Sequence, residues 1–377
     1  MNIVIAIDSF KDCLSSAGVA EHVAAGIRKV YPDALIHEIP IADGGEGTLD
    51  AMCLALHAEK IPVEVHDPLM RPVSAAFGWH EARKLAIVEM AMASGIERLT
   101  TNERNPLLTS TFGTGELIKA ALDKGCREMI LGIGGSATND AGTGMAKALG
   151  AKLLNSSGRE LLGGGGDLVN LNRMDLSGLD QRLKNVVIRV ACDVSNTLTG
   201  QGGASAVFGP QKGATPEMVQ QLDANLTHFA GIVKKDTGTD LLNLKGGGAA
   251  GGLGAGLYFF AGAELVPGFE LISETVKLED KIALADFVIT GEGKIDGQTI
   301  HGKTPYGVSL LAQKYHKPVI AVAGQLGDGY RDLFSFGFGG IFTISDGRGS
   351  VEDSIRRAPE LLESLGERIF RLIKTIQ

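Results

Sequence analysis

Three carboxylates follow apolar runs that have the pattern of buried β-strands. Asp8 follows IVIAI, Asp43 lies in PIADGGEGT after a second strand, and Asp193 lies in ACDVSN after a third. Ligands of open α/β sheets bind beyond the carboxyl ends of the strands, so these side chains are candidates for one site. Asp193 suits a general base or a Mg²⁺ ligand, and Asp43 suits a cation ligand. The alternative for both is a carboxylate that only forms a turn or caps a helix.

Polar and cationic side chains accompany these carboxylates. Ser9 and Lys11 follow the first of them, Asn196 follows the third, and Lys212 ends the segment GASAVFGPQK. We expect Ser9, Asn196 and Lys212 to contact the substrate, and Lys11 to act beside the catalytic carboxylates. Asn196 is also near enough in sequence to position Asp193. The alternative for Lys11 is a solvated surface charge.

A glycine turn between a strand and a helix is a candidate anion site. The segment MILGIGGSATNDAGTGMAKALG has an apolar strand, a turn and a helical pattern in that order. Backbone N–H groups and the positive end of the helix dipole favour a phosphate or carboxylate there. The alternative is that the serine and the asparagine cap the helix. The candidate phosphate-binding residues are Gly134, Gly135, Ser136, Asn139 and Asp140.

A second glycine run, GGGAAGGLGAGL, starts at Gly246. It contains G-x-G-x-x-G, but LLNLK before it is a poor strand and no acidic residue stands about 20 positions on, so it is not a dinucleotide fingerprint. Gly248 and Gly252 remain candidates for nucleotide binding.

The segment GQTIHGKT fits the P-loop pattern G-x-x-x-x-G-K-[ST]. A true P-loop leaves its strand at the first glycine, whereas here we expect the strand to end at Thr290 and GEGKID to intervene. We therefore predict no Walker fold, although a helix that begins at Pro305 still allows the residues before it to hold a phosphate. The phosphate candidates are Lys303 and Thr304, and the metal candidates just upstream are Glu292 and Asp296.

Composition limits the partners. The 377-residue chain has a formal net charge of −8 and no long Lys/Arg run, which argues against nucleic acid or an anionic membrane as partner and favours a small soluble substrate. Its four cysteines stand apart, without the spacing of a disulfide frame or a zinc site. No apolar run approaches the ~18 residues that span a bilayer, and no signal peptide precedes the first strand, so we expect a cytoplasmic protein.

Strands and helices alternate along the chain, which predicts an α/β fold. We expect residues 1–66 and 284–377 to form one doubly wound, mostly parallel sheet of Rossmann-like or flavodoxin-like type, and residues 67–283 to form an inserted glycine-rich α/β domain. The prolines of DPLMRP mark the point where the chain is expected to pass from the first domain into the inserted one. Two consecutive domains are the alternative, but neither terminal segment alone has enough strands for the usual sheet.

Taken together, the motifs resemble the bacterial type 1 glycerate kinases over nearly the whole chain. One departure is Ile7, where that family often has proline. The motifs are DSFK, ADGGEGT, GGSATNDAG, ACDVSN, GASAVFGPQKGA, GAAGGLGAGL and TGEGKIDGQT, in that order.

The resemblance implies an ATP-dependent kinase that phosphorylates D-glycerate, with two α/β domains and the active site in the cleft between them. It favours O2 of glycerate, giving 2-phosphoglycerate and ADP, while O3 stays open. Phosphoryl transfer needs Mg²⁺, cationic or N–H groups and a carboxylate near the attacking hydroxyl, so we expect Asp193, Asp8 and Lys11 to be catalytic. Arg71 is a candidate for binding the carboxylate of glycerate. A nucleotide-dependent oxidoreductase and a non-catalytic sugar-acid sensor are the rival functions, and a homo-oligomer is left open.

Overall fold

The computed structural model describes residues 1–11, 13–42, 44–300, 302–345, 347 and 350–376. Its chain divides into two compact units: unit 1 is Met1–Asp43, Asp50–His57 and Phe269–Gln377, and unit 2 is Gly44–Leu49 and Ala58–Gly268. Across those described ranges, no helix combines the length and the apolar character that a membrane crossing requires.

The described residues form thirteen strands. They are β1 (Asn2–Ile7), β2 (Leu35–Pro40), β3 (Glu59–His66), β4 (Pro72–His80), β5 (Leu85–Glu89), β6 (Glu128–Gly132), β7 (Lys152–Leu154), β8 (Arg173–Asp175), β9 (Val187–Ala191), β10 (Glu264–Val266), β11 (Phe287–Ile295), β12 (Val319–Leu326) and β13 (Phe338–Thr343).

The α-helices alternate with the strands over much of the chain. They are α1 (Ser16–Arg28), α2 (Thr48–Leu56), α3 (Ala91–Ser94), α4 (Phe112–Asp123), α5 (Thr143–Ala148), α6 (Ala204–Phe208), α7 (Pro216–Thr237), α8 (Ala249–Ala261), α9 (Gly268–Thr275), α10 (Leu278–Ala283), α11 (Thr304–Lys314), α12 (Val351–Arg356) and α13 (Ala358–Ile376). Short 3₁₀ helices are Glu81–Arg83, Ile96–Arg98, Thr101–Glu103, Gly165–Asn170, Gln181–Asn185, Pro210–Lys212 and Tyr330–Phe336.

Unit 1 contains a five-stranded sheet in the order β13-β12-β11-β1-β2, and every neighbouring pair is parallel. Counted along the chain, this is the doubly wound order 2-1-3-4-5, which changes direction between β1 and β11. The strand β1 is buried on both faces from Ile3 to Ile7, and α1 and α13 cover one of these faces with buried residues such as Val23 and Phe370. Ligands of such sheets bind beyond the carboxyl ends of the strands at this point of reversal.

Unit 2 contains a six-stranded sheet in the order β10-β9-β6-β5-β4-β3. Its pairs are parallel from β10 to β5 and antiparallel from β5 to β3, and β7 and β8 form a separate antiparallel pair. The α/β class with mostly parallel sheets, predicted from the sequence, is confirmed.

The DPLMRP segment is the turn of the β3–β4 hairpin. The carboxylate of Asp67 closes it by accepting hydrogen bonds from the N–H groups of Leu69 and Arg71, at 2.8 and 2.9 Å. Both strands belong to unit 2. The unit boundary therefore lies before β3, between residues 57 and 58, whereas the sequence placed the domain boundary after residue 66.

The strand that was expected to end at Thr290 continues to Ile295, so this prediction is wrong. The extension forms because Lys294 and Ile295 pair with Gln325 and Leu326 of β12. Most of GEGKID therefore belongs to β11, and the argument that these residues separate the strand from GQTIHGKT fails.

Candidate functional site

Asp8 lies at the point where the unit 1 sheet reverses direction. The strand β1 ends at Ile7, which pairs with Gly291 in β11, and Asp8 N donates to Gly291 O at 3.0 Å. The carboxylate of Asp8 accepts hydrogen bonds from Ser9 N at 2.6 Å and from Thr304 Oγ1 at 3.1 Å. The structure thus joins Asp8 and Thr304, which are nearly three hundred residues apart in the sequence.

Glu292 and Lys303 form an ion pair beside this carboxylate. Lys303 Nζ lies 3.0 Å from Glu292 Oε2, and Thr299 Oγ1 donates to Glu292 Oε1 at 2.7 Å. Burial raises the pKa of the Glu292 carboxyl, although the hydrogen bond from Thr299 and the charge of Lys303 oppose that change. We call Asp8, Glu292, Asp296, Lys303 and Thr304 the switch-point cluster.

Asp296 has a different electrostatic environment. Its Oδ1 accepts from Gln298 N at 3.0 Å, and its Oδ2 lies 3.3 Å from Lys294 Nζ. The hydrogen bond from Gln298 lowers the pKa of this carboxyl first, with Lys294 and Lys303 adding to the effect. Asp296 is therefore held ionised, as a cation ligand must be.

The carboxylates of the switch-point cluster fit a metal ion that is shared with phosphates. In the described part of the chain, no group of three or more Asp, Glu, His or Cys side chains could hold a metal by itself. Mg²⁺ commonly takes only one or two protein carboxylates and completes its shell with phosphate oxygens and water. Glu292 and Asp296 supply donors of that kind. Asp43, the third metal candidate, lies outside the described residues.

Lys303 and Thr304 stand at the start of α11, with Lys303 at the N-cap and Thr304 as the first helical residue. Their N–H groups begin an 11-residue helix, whose positive dipole end favours an anion. Because β11 ends two residues before Gly297, the strand, loop and helix follow one another more closely than the sequence predicted. His301, inside this loop, lies outside the described residues.

In unit 2, the loop of residues 134–140 follows β6 closely. Gly134 N donates to Gly44 O at 3.1 Å. A Cβ atom on Gly134 would lie 2.5 Å from the Cα of Gly45, so the close approach of the two glycine motifs requires glycine here. The N-cap of α5 is Gly142, so the alternative that Ser136 and Asn139 cap this helix is wrong.

Lys212 lies beneath this loop. Its side chain is 1% exposed, and Nζ donates to Ser136 Oγ and to Thr138 O, both at 2.7 Å. Burial lowers the pKa of the Lys212 amine to about 7, and the charge of Asp140 opposes the change. The sequence predicted a substrate-contacting lysine, whereas the structure shows an amine whose hydrogen bonds go to the protein.

Asp140 is also fully buried and connects the loop to two helices. Its carboxylate accepts from Thr111 N and Thr111 Oγ1, both at 2.9 Å, and from Gly142 N and Gly144 N, both at 3.2 Å. Burial raises the pKa of Asp140, while these hydrogen bonds favour the ionised form. Asn139 Oδ1 accepts from Ser205 Oγ at 3.2 Å. The four hydrogen bonds of Asp140 fix the conformation of the loop.

The second glycine motif packs against the first. Gly251 O accepts a hydrogen bond from Ala141 N at 3.1 Å, and a Cβ atom on Gly251 would lie 1.9 Å from Thr138 O. A Cβ on Gly248 would lie 2.1 Å from Thr197 O, and one on Gly252 would lie 2.9 Å from a Leu198 methyl group. The backbone of this motif therefore contacts protein at each of these glycines.

Asp193 is exposed two residues beyond β9. Its Oδ1 accepts from Gly268 N at 2.7 Å, which orients the carboxylate. Asn196, which was expected to position Asp193, donates from its side-chain amide to Gly202 O at 2.7 Å, and its backbone carbonyl accepts from Gly248 N at 3.0 Å.

The two remaining cationic candidates, Arg71 and Lys11, differ in their surroundings. Arg71 is bound by two carboxylates, Asp67 Oδ2 at 2.5 Å and Glu103 Oε1 at 2.6 Å. These contacts tie the β3–β4 turn to the segment around Glu103. Lys11 is exposed in the turn that follows β1.

Glu89 and Thr111 were missed by the sequence analysis. Glu89 is a buried carboxylate at the end of β5 that accepts from Gly47 N at 3.3 Å and Leu49 N at 2.9 Å, so it anchors the ADGGEGT motif. Its signal was present in LAIVE, an apolar strand that ends in an acid. Thr111 had no such signal, because its partner Asp140 is 29 residues away.

Comparison with known proteins identifies the family. The model of the glycerate kinase family matches residues 3–374. The chain belongs to this family. A glycerate 2-kinase of Escherichia coli K12 is 49% identical over 95% of this chain and 94% of its own length. A glycerate kinase of Bacillus subtilis 168 is 47% identical over 99% and 98%.

The fold has a close counterpart among solved structures. A crystal structure from Salmonella typhimurium LT2, described as a candidate glycerate kinase 2, has a TM-score of 0.90 and 47% identity, and covers 100% of this chain and 98% of its own. The resemblance found in the sequence motifs is confirmed. Because the chain is a kinase, the oxidoreductase and the non-catalytic sensor are excluded as alternatives.

Proposed function

We propose that this glycerate kinase family member transfers the γ-phosphoryl group of ATP to O2 of D-glycerate, giving 2-phosphoglycerate and ADP. The observation that carries the choice of O2 is the 49% identity, over 95% of the chain, to a relative named glycerate 2-kinase. The switch-point cluster supports phosphoryl transfer because it combines a helix N-terminus, a lysine and carboxylates at the ligand-binding edge of a doubly wound sheet.

In this proposal the switch-point cluster binds the phosphates of ATP. Lys303 and the N-terminus of α11 contact phosphate oxygens, and Lys303 exchanges its ion pair with Glu292 for a phosphate. Glu292 and Asp296 would hold Mg²⁺, which when bound neutralises charge on the phosphates. Asp8 keeps Thr304 in place through its hydrogen bond. Lys11, in the turn that follows β1, is a further cation that contacts the transferred group.

Unit 2 supplies the other groups. Ser136, with the backbone N–H of Gly135, binds an anionic oxygen, whereas the N–H of Gly134 already donates to Gly44 O. Asp193 orients the attacking hydroxyl and accepts its proton, since the N–H of Gly268 fixes its direction. Asn196 is a proposed substrate contact from unit 2, and Ser9 is one from unit 1. Arg71 is the weakest of the substrate candidates, because its Nε and Nη1 already pair with carboxylates.

Phosphorus NMR of the product tests the proposed reaction. The purified chain with ATP, Mg²⁺ and D-glycerate should give the resonance of 2-phosphoglycerate and an equal amount of ADP, and a sample without glycerate should release far less ADP. A product consisting of 3-phosphoglycerate would overturn the choice of O2 and leave the kinase in place. The absence of any phosphoglycerate would overturn glycerate as the acceptor.

A further inference from the structure

The hydroxyl of Ser136 is held by an amine that lies beneath it. Lys212 ends a short 3₁₀ turn after α6 and reaches Ser136 Oγ and Thr138 O, which are 76 and 74 residues earlier in the chain, at 2.7 Å each. Lysine is almost never fully buried unless its amine is paired. Because the Lys212 side chain is 1% exposed, its amine offers almost no surface to a ligand.

The direction of the Ser136–Lys212 hydrogen bond determines what Ser136 can do. Lys212 Nζ donates to Ser136 Oγ, so the serine oxygen is the acceptor of this bond. A serine hydroxyl has one donor and two acceptor lone pairs, and the hydrogen of Ser136 therefore remains available to donate. Among the residues that the structure describes, none accepts a hydrogen bond from the Ser136 hydroxyl, whose oxygen accepts from Lys212.

The backbone on both sides of Ser136 is fixed by other contacts. Ala137 N donates to Ser94 O at 3.0 Å, and Ala137 O accepts from Thr109 Oγ1 at 2.8 Å. Gly135 O accepts from Ile96 N at 2.8 Å. The backbone around Ser136 is thus fixed, and its Oγ is held by Lys212. The main remaining freedom of the hydroxyl is the direction of its hydrogen.

We infer that Lys212 is a positioning residue, which holds Ser136 Oγ as an acceptor so that the Ser136 O–H donates to an anionic oxygen of a bound ligand. This inference rests on the proposed function. The oxygen belongs to a phosphate of ATP or to the carboxylate of D-glycerate, two sources with the same chemistry. Ser136 contacts the ligand, and Lys212 does not.

Steady-state kinetics of Ser136→Ala, Lys212→Met and the double variant test this assignment. A hydrogen bond to a charged group contributes about 1.5–3 kcal/mol, so Ser136→Ala should raise the KM of one ligand about 10- to 150-fold and change kcat much less. The ligand whose KM rises identifies the anion: ATP for a phosphate, D-glycerate for a carboxylate. Calorimetric titration with ATP and with D-glycerate repeats the comparison without turnover.

The double variant separates positioning from direct contact. If Lys212 acts through Ser136, adding Ser136→Ala to Lys212→Met should change KM less than about twofold, because the positioned hydroxyl is already lost. Effects that multiply would show that Lys212 binds the ligand itself, and they would overturn the inference.

A matched pair of serine variants does not depend on whether Lys212→Met folds. Ser136→Thr keeps the hydroxyl and should retain KM within about threefold, whereas Ser136→Ala should not. Ser94→Ala is the control, since it removes a neighbouring buried hydroxyl that accepts a hydrogen bond from Thr114 Oγ1. A wild-type KM and Kd for both ligands in Ser136→Ala would refute the inference while wild-type activity upholds the proposed function. If the wild type forms no phosphoglycerate, the proposed function fails, and the ATP titration still decides the role of Ser136.

Discussion

The substitution Lys212→Met replaces a buried amine with an uncharged side chain of similar length. Lys212 is enclosed by the loop of residues 134–140, and burial lowers the pKa of its amine from 10.5 to about 7. In the unfolded chain the same amine returns to water, where the ordinary pKa applies. Unfolding of the wild type between pH 7 and 10.5 therefore takes up a proton at this residue, and unfolding of Lys212→Met does not.

This difference gives the sign and size of the expected effect. When the unfolded state binds more protons than the folded state, stability rises with pH. The change is about 1.4 kcal/mol per pH unit, or about 5 kcal/mol over the whole interval, since one pKa unit corresponds to about 1.36 kcal/mol. The stabilisation is complete above the unfolded pKa of 10.5 and is lost as pH falls to the folded pKa of about 7. We therefore expect the free energy of unfolding of the wild type, minus that of Lys212→Met, to rise by about 1.4 kcal/mol from pH 8 to pH 9.

Urea denaturation followed by circular dichroism at pH 8, 8.5 and 9 measures this difference. Other titrating groups are common to both proteins and cancel in the subtraction, and the two hydrogen bonds that the amine donates add an offset that does not depend on pH. Lys235→Met, on the exposed side of α7, is the control and should give a difference that changes little. A wild-type minus Lys212→Met difference that stays constant from pH 8 to pH 9, or falls, would show that Lys212 is not desolvated and refute the reasoning.

Three further substitutions test other parts of the molecule. Gly251→Ala should destabilise the protein by at least about 2 kcal/mol more than Gly262→Ala in urea denaturation. Both glycines have left-handed backbone, but a Cβ would meet Thr138 O at Gly251 and would meet no atom within 4 Å at Gly262. Equal losses of stability would contradict the packing argument. Lys303→Ala should lower kcat/KM for ATP at least about a hundredfold and leave the protein folded by circular dichroism, because the lysine side chain is 41% exposed and is not part of the core. An unchanged rate would show that the match of GQTIHGKT to the P-loop pattern has no functional meaning. Asp193→Asn should lower kcat at least about a hundredfold with little change in ATP affinity; loss of Mg²⁺·ATP binding at an unchanged kcat would instead make Asp193 a metal ligand.

The sequence predicted well those elements whose burial follows from the hydrophobic pattern of neighbouring residues. The run IVIAI was recognised as β1 because a strand of a parallel sheet is apolar on both faces, and the amphipathic pattern near the C-terminus was recognised as α13. The carboxylates at strand ends were found for the same reason, since Asp8 and Asp193 follow runs of that kind. Family membership was also readable, because it depends on the order of motifs along the chain.

The sequence predicted less well where the partner of a residue lies far away along the chain. The end of β11 contains glycine and charged residues, and only pairing with β12 makes it a strand. The prolines of DPLMRP suit a domain crossing as well as the hairpin turn that they form.

The role of Lys212 depended entirely on the tertiary structure. The sequence predicted that Lys212 contacts the substrate, and nothing within a few residues of it indicates burial. Its partners Ser136 and Thr138 are more than seventy residues away, and Gly251, which abuts the same carbonyl of Thr138, lies far along the chain in the other direction. Local sequence thus determined which motifs exist, whereas long-range packing decided which of their side chains are buried and bonded to distant parts of the chain, because desolvation and hydrogen-bond direction are properties of the folded surroundings.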